Sequence, residues 1–588
     1  NPRGLEVFRL VDLHSDTNNN EHHTSEISVT ELIVRRGQAF KLTLKLSQPF
    51  NLGFDQLIMT VVTGKDPSED LGTKSRFGVP GRSLHSASAK AVWKAELQRG
   101  SSPETGVLVL IVSPPADAPI GEYTLSASFK DKEKVLANFS VLFNPWSSDD
   151  WVFLPKEEER REYVLNEQGI IYRGGGDYIS PMFWDFGQFE QGMVKICLKM
   201  LDLNVKYWLN PADDVSARCS PIYVSRVVSA MINSSDEGGV VMGNWGNDYS
   251  GGFPPTYWSG SYAILKQWYN SYYRSVRYGQ CWVFAGVMCS VMRLLGIPCR
   301  VVSNFQSAHD TNKNLTIDNY FDNNGAMERE SKDSIWNFHV WVEGWMRRPD
   351  LAKDGKYDGW QVVDPTPQER SEGLFCCGPA SVTAIRNGEV DLKYDVPFVF
   401  AEVNADSVYW LVSIETKIFS DTETVGQNIS TKAVGSYKRV DLTNTYKHRE
   451  GGLTYLIVPI KVPFSVYHKY MIQSRTMSIS AIITDLQKEN NSYFFSGLRL
   501  FVMQVSGGSK VNQELTAEVV FTNPIDETLS DCSMSLSGSG LMIGQEITKF
   551  RVAVVLVPYK TGERSLLVNF SCSSFKDIKS SCIVNIKP

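Results

Sequence analysis

The sequence predicts a multidomain chain: an N-terminal β-sandwich, an α+β core, and two C-terminal β-sandwich or barrel domains. Three observations carry this. The 588 residues exceed what one hydrophobic core supports. Period-two alternation dominates both ends of the chain, whereas helical spacing is confined to the middle. Tryptophan and tyrosine become dense in that same middle region.

Residues 1–146 read as the first sandwich. Glu31 to Leu46 alternates around a glycine turn, and Gly106 to Val112 and Gly121 to Phe129 are further strands. No helical stretch is expected there, and no chemistry. Leu142 to Trp146 reads as the hinge into the core. Residues 147–447 carry helical spacing over Glu157–Val164, Phe189–Leu203, Ser220–Asn233, Tyr262–Tyr272 and the segment opening at Cys281. Strands are expected over Pro298–Asn304, Ile335–Trp345 and Gly359–Val363. From 448 the chain alternates again. Residues 497–588 suffice for a seven-strand sandwich, and 448–496 provide only half of the roughly 100 residues one needs. The third domain is therefore expected to be incomplete in this sequence.

Composition excludes several classes. Lys+Arg number 59 against 65 Asp+Glu, a net charge of −6, which suits neither nucleic acid nor an anionic membrane surface. No apolar run reaches the roughly 20 residues of a membrane helix. No signal peptide opens the chain, so a cytoplasmic location is expected, with export lacking a signal peptide as the variant. The ten cysteines form no zinc spacing, and adjacent Cys376 and Cys377 suit reduced thiols.

The chemistry centres on Cys281. It opens a segment in which Val283, Phe284, Val287, Met288, Val291 and Leu294 recur at helical spacing, closed by Gly296 and Pro298. A thiol at a helix N-terminus sits in the positive end of the macrodipole, which favours the nucleophilic thiolate. A buried structural cysteine would show the same pattern. A nucleophilic thiol needs a base, and the base an orienter. The core holds two histidines, His309 and His339. His339 shares a strand face with Asn337 and Glu343, an unusually polar face for a core strand. Asp364 ends a hydrophobic strand before Pro365, and antiparallel pairing across the 346–358 loop would bring it beside His339.

Tyr278 to Ala285, Trp336 to Trp341 and Gly359 to Glu369 resemble the three catalytic blocks of the animal transglutaminases. The resemblance extends to Val34–Gln38, Leu142–Trp146, Phe398–Asp406 and Leu536–Leu541, so it covers nearly the whole chain. It implies a papain-like α+β core and a thiol acyl transfer. In that reading Cys281 attacks a protein glutamine, His339 moves protons and Asp364 orients the imidazole. The Cys281 backbone N–H and the Trp245 indole would hold the oxyanion. Trp245 and Trp336 would wall a tunnel for the lysine or polyamine acceptor.

The resemblance also implies Ca²⁺ as cofactor, on three ligand sets. One is Asp310, Asn312, Asn314, Thr316 and Asp333. The second is Ala230, Asn233, Ser235 and Glu237, with Ser and Glu where the family more often has Asn and Asp. The third is Asn404, Thr422 and Glu450. Asp310 to Thr316 offers oxygen ligands at alternate positions but lacks the central Gly and terminal Glu of an EF-hand. Implied partners are protein glutamine donors and protein lysine or polyamine acceptors, with no nucleic acid. Guanine-nucleotide regulation occurs in some relatives, and no arginine cluster supports it here. The alternative reading is a catalytically inactive scaffold of the same fold. A papain-like protease or a β-rich adhesion protein fits less well.

Overall fold

The structure, a computed structural model, describes residues 7–176, 178–236, 238–322, 327–329, 331–412, 416–448, 501–507, 510–521, 530–542, 545–548, 553–572 and 578–588. It divides into two compact units, Asn1–His448 and Arg449–Pro588. The strands expected over Thr454–Phe464 and Met477–Ile483 lie outside the described residues.

The first unit opens with two facing sheets. One orders Phe8–Asp12, Phe40–Leu46, Val107–Ser113 and Lys94–Leu97. The other orders Ile33–Arg35, Lys132–Leu142, Gly121–Phe129, Leu57–Thr63, Lys74–Val79 and Arg82–Ser83. Alternate residues such as Leu42, Leu44, Leu108, Leu110 and Leu125 bury between the sheets. Ile33–Arg35 and Phe40–Leu46, read as one alternating run, fall in different sheets. The turn at Gly37 (φ 71°) makes the switch.

The expectation of no helix in this region is corrected. Ser15–Glu21 is helical, although it has no apolar stripe. Its buried side chains are amides, and Asn18 and Asn19 donate to the carbonyls of Leu13, Lys41, Ser28 and Glu31. Polar anchoring of this kind leaves no periodic hydrophobic trace.

The α+β region is built on a six-stranded sheet ordered Cys377–Ser381, Gly359–Asp364, Ser334–Met346, Cys299–His309, Gln427–Lys432 and Arg439–Asp441. Against it lies the helix Cys281–Leu295, with all of its residues buried. Burying each Val, Leu, Met or Phe on that helix stabilises by about 1.5–3 kcal/mol. Its Gly286 lets Trp184 approach: a Cβ there would lie 2.4 Å from the indole. Ser261 accepts from the Trp184 indole at 2.8 Å and donates to the Gly286 carbonyl at 2.9 Å. The helix stops at Gly296 (φ 93°), where a Cβ would meet the Phe143 carbonyl at 2.4 Å. Phe143 N–H in turn donates to Leu295 O at 3.0 Å. The first sandwich thus packs against the end of the helix opposite Cys281.

In the second unit, Phe501–Gly507, Leu515–Phe521 and Ala553–Leu556 form one sheet, and Gln545–Thr548, Ser533–Ser537, Gly562–Ser571 and Ile578–Ile586 another. Leu515, Leu536, Leu556, Leu566 and Phe570 fill a core of their own. No helix among the described residues is long and apolar enough to cross a membrane.

Candidate active site

Cys281 is the first residue of its helix and is 4 % exposed. The residue before it, Gln280, makes no side-chain cap. Backbone bonds of the helix begin with Val283 and Phe284 donating to Gln280 O, at 2.8 and 3.1 Å. No side-chain cap at Gln280 therefore covers the first N–H groups of the helix that Cys281 opens.

His339 comes from the strand Ser334–Met346, where it faces Asn304 in the register with Cys299–His309. The neighbouring strand Gly359–Asp364 pairs Val342 with Val363, so Asp364 falls on the His339 face at the strand end. His339 Nε2 lies 2.6 Å from Asp364 Oδ2, with both side chains 1 % exposed. Asp364 is itself tethered: its Oδ1 accepts Thr366 N–H at 2.9 Å and its carbonyl accepts Ser229 Oγ–H at 2.7 Å.

Burial works against a charged imidazole. The Asp364 carboxylate, the adjacent Cys281 sulfur and the nearby Glu402 outweigh it, and the His339 pKa stands well above the ordinary histidine range. Nδ1 is buried without a hydrogen-bond partner. It is the nitrogen left free once Nε2 faces Asp364.

Trp245 follows the strand Val241–Gly243, which pairs in parallel with Val276–Gly279 just before Cys281. Asn244 N–H donates to Gly279 O at 3.1 Å, and Gln280 Nε2 donates to Asn244 O at 2.9 Å. Those bonds hold the Trp245 loop beside the start of the Cys281 helix. The Trp245 ring stacks on Phe284 (centroids 6.2 Å) and neighbours Trp336 at 6.5 Å. Trp336 stands edge-on to His339 at 5.2 Å. Trp245 is 48 % exposed, so the aromatic wall opens to solvent.

Three residues that sequence reasoning did not single out complete the surroundings. Gln368 Nε2 lies 2.9 Å from Glu402 Oε1, 3.3 Å from Asp364 Oδ2 and 3.0 Å from His339 Nε2. Glu402 is fully buried in the helix Val396–Asn404, and burial pushes its pKa up to about 8. A lone acid in the apolar run Val396 to Val403 was the available signal. His339, Asp364 and Glu402 bring ligand atoms within 4.8 Å of one another, the single such group among the described residues. The 2.6 Å imidazole–carboxylate bond leaves no room for an ion between those two, so this is a hydrogen-bonded cluster.

The third is Asp318, in the strand Thr316–Phe321 that follows the loop expected to hold calcium. Asp310 accepts N–H bonds from Asn312, Lys313 and Leu315, and Asn312 and Asn314 accept from Asn314 and Thr316. Asp333 accepts from Thr311 and from Asp318 N–H. Asp318 accepts from Asn314 Nδ2 at 2.7 Å and from the Trp410 indole at 2.8 Å. Three carboxylates with amide and hydroxyl oxygens are a hard-cation donor set, so these residues fit calcium by chemistry. Asp310 and Asp333 accept backbone N–H groups, Asp318 accepts side-chain donors, and the three carboxylates do not gather within 4.8 Å of one another.

The second set fits less well. Asn233 donates to Pro365 O and Phe375 O and accepts Ser235 N–H, so both ends of its amide are engaged. Neighbouring Asp236 accepts from Arg370 and Phe375 N–H. Ala230 lines a small cavity with Arg226 and Asp236, and Glu237 lies outside the described residues. Asn404 ends its helix and Thr422 follows a strand, whereas Glu450 is outside the described residues.

His309 joins the two regions. Its Nε2 lies 2.9 Å from Glu369 Oε1 and its ring is edge-on to Trp336 at 5.9 Å.

Three family models match the chain: the Transglutaminase family over residues 9–130, the Transglutaminase-like superfamily over 257–365, and the Transglutaminase family, C-terminal ig like domain, over 501–588. Protein-glutamine gamma-glutamyltransferase 5 of Homo sapiens is 38 % identical, with 98 % of each chain covered. Protein-glutamine gamma-glutamyltransferase 2 of Mus musculus is 37 % identical, with 99 % of each covered. The alignment to the human protein runs over 718 residues against 588 in this chain, so that relative has stretches without a counterpart here. The crystal structure of red sea bream transglutaminase superposes with a TM-score of 0.82 at 33 % identity, covering 99 % of this chain and 100 % of that one. With a relative this similar over almost the whole length, the chain belongs to the transglutaminase family of enzymes.

Proposed function

We propose that the protein is a calcium-dependent protein-glutamine γ-glutamyltransferase that forms isopeptide cross-links. The observation that carries this reading is the buried His339–Asp364 bond, with Nδ1 unpartnered beside a thiol at a helix N-terminus.

The Cys281 thiolate attacks the side-chain carbonyl of a protein glutamine, forming a C–S bond. The oxyanion is held by the Cys281 N–H and the Trp245 indole N–H. The His339 imidazolium gives its proton to the leaving nitrogen, the C–N bond breaks, and ammonia departs from a thioester. A lysine or polyamine amine entering between Trp245 and Trp336 attacks that thioester, and His339 takes the amine proton. The C–S bond then breaks, returning the thiolate. Water in place of the amine yields glutamate. Asp364 orients the ring in both protonation states and stabilises it whenever it is charged.

Asp310, Asn312, Asn314, Thr316 and Asp333, joined by Asp318, would hold calcium. Bound there, the ion would supply the positive charge that gathers these carboxylates next to His309. The second set (Ala230, Asn233, Ser235, Glu237) and the third (Asn404, Thr422, Glu450) remain further proposed sites in the same reading. A cytoplasmic location and protein lysine or polyamine acceptors belong to it as well.

The test is incorporation of a labelled amine into a glutamine-rich protein, with and without calcium, for the wild type and Cys281→Ala. Calcium-dependent incorporation lost in the variant is the expected result. Equal incorporation by both proteins, or none by the wild type with calcium, overturns the reading in favour of a scaffold.

A further inference from the structure

The Cys–His–Asp arrangement leaves two polar groups around the imidazole without a role. Glu402 is fully buried, and its Oε1 lies 3.6 Å from His339 Nε2. Its Oε2 is buried and has no hydrogen-bond partner. A carboxyl group in that condition is costly, and a glutamine or leucine would fill the same volume. Gln368 stands between, its amide nitrogen touching Glu402 Oε1, Asp364 Oδ2 and His339 Nε2 at 2.9, 3.3 and 3.0 Å. The Glu402 backbone is pinned as well: its carbonyl accepts Asn304 Nδ2–H at 2.8 Å, and Asn304 is the register partner of His339.

The ring itself is anchored from one side only. Nδ1 has no partner in the fold, so no bond on the Cys281 side sets the imidazole orientation. The edges of Trp336 and Trp341, at 5.2 and 5.8 Å, limit tilt but carry no directional bond. The hydrogen bonds that fix the direction of Nδ1 therefore all act through Nε2.

We propose that Glu402 and Gln368 are positioning residues: the Gln368 amide links the Asp364 and Glu402 carboxyl groups into one clamp on His339 Nε2, which holds Nδ1 toward Cys281. The clamp rests on the proposed role of His339 as the base. A single carboxylate leaves the ring free to swing about one hydrogen bond. A second carboxyl group, locked to the first by an amide, removes that freedom. The titratable groups facing the ring are then Cys281, Asp364 and Glu402. Glu369, next to Gln368 in sequence, is paired with His309 at 2.9 Å.

The experiment uses the full chain with Glu402→Gln, which is isosteric, with Gln368→Leu, and with the double variant. Two readouts are taken: Cys281 alkylation by iodoacetamide against pH, and kcat and KM for a glutamine-donor peptide. Each single variant should narrow the pH range of the thiolate–imidazolium pair by about half a unit or more. Each should lower kcat about tenfold with KM within about twofold. The double variant should be no worse than the poorer single, because the two residues act as one unit. An alkylation profile and kcat unchanged in both single variants overturn the clamp, as do losses that multiply in the double. Alkylation needs no acyl transfer, so wild-type protein that fails to incorporate amine refutes the proposed function while the profile still decides the clamp.

Discussion

Asp364 Oδ2 sits 2.6 Å from His339 Nε2 with both side chains 1 % exposed, so water cannot substitute for either partner. Asp364→Asn keeps the size but turns an acceptor of the Nε2–H into a group that can donate, favouring the other tautomer. A kcat loss of about 10³–10⁴-fold is expected, with the fold retained. Single-turnover acylation of a glutamine peptide measures it. A loss under tenfold would mean that the carboxylate does not orient the base.

The Trp245 ring serves the site in two separable ways, as wall and as donor. Trp245→Phe keeps a ring to pack on Phe284 and Trp336 and removes the indole N–H. Loss of one oxyanion donor costs about 10²–10³ in kcat. Steady-state kinetics with a small amine acceptor should show this fall in kcat with the acceptor KM little changed. A rise in acceptor KM alone would assign Trp245 to the wall only.

The raised His339 pKa links stability to pH. The folded state holds the ring proton more tightly than the unfolded chain, whose histidine titrates near about 6.5. The stabilisation is fully present below that value and is lost as pH rises through the folded pKa. The thermal midpoint of the wild type should therefore fall toward that of His339→Gln as pH rises from neutral to strongly alkaline. Unfolding scans of both proteins at a series of pH values test this, and a constant gap across the series contradicts it.

Gly286 exists for contact with Trp184. A Cβ there would lie 2.4 Å from Cε2 and 2.5 Å from Nε1 of the indole, and that nitrogen donates to Ser261. Gly286→Ala must push the indole or the helix aside, at a cost of about 1–3 kcal/mol. The denaturant midpoint of the first unit should drop accordingly. Cys281 alkylation should slow as well, because the thiol starts the displaced helix. An unchanged midpoint would show that the indole moves freely.

The loop at Asp310 is organised by the same carboxylates that would hold calcium. Asp310→Ala removes the acceptor of three backbone N–H groups and should destabilise the loop by about 1–3 kcal/mol in the absence of metal. It should also abolish any rise in thermal midpoint on adding calcium. Asp318→Asn should raise the calcium concentration required about tenfold or more. Calorimetry with and without chelator reads both. A calcium-dependent rise that survives Asp310→Ala would move the site elsewhere.

How much was legible can be argued from particular residues. The helix at Cys281 announces itself through apolar periodicity and its Gly296 stop, and the structure buries all of it. His339 and Asp364 stood out because polar groups interrupt apolar strands. Gln368 and Glu402 did not: one sits in an irregular turn, the other in a helix whose packing partners are distant in sequence. Asp318 was passed over because it reads as an ordinary residue of a short strand, Thr316–Phe321. The Ser15–Glu21 helix was missed because its anchors are buried amides, which periodicity does not register.

The amino-acid order alone settled the alternation of β and α+β regions and the chemical types available at Cys281, His339, Asp364 and Trp245. Hydrophobic spacing and residue chemistry are local quantities, so a chain carries them before it folds. Only the tertiary structure decided which carboxyl groups share the imidazole and which face of the strand is dry. It also decided that an amide bridges Asp364 to Glu402. Those are distances between segments far apart in sequence, set by sheet register and by the burial that removes water as a competing partner.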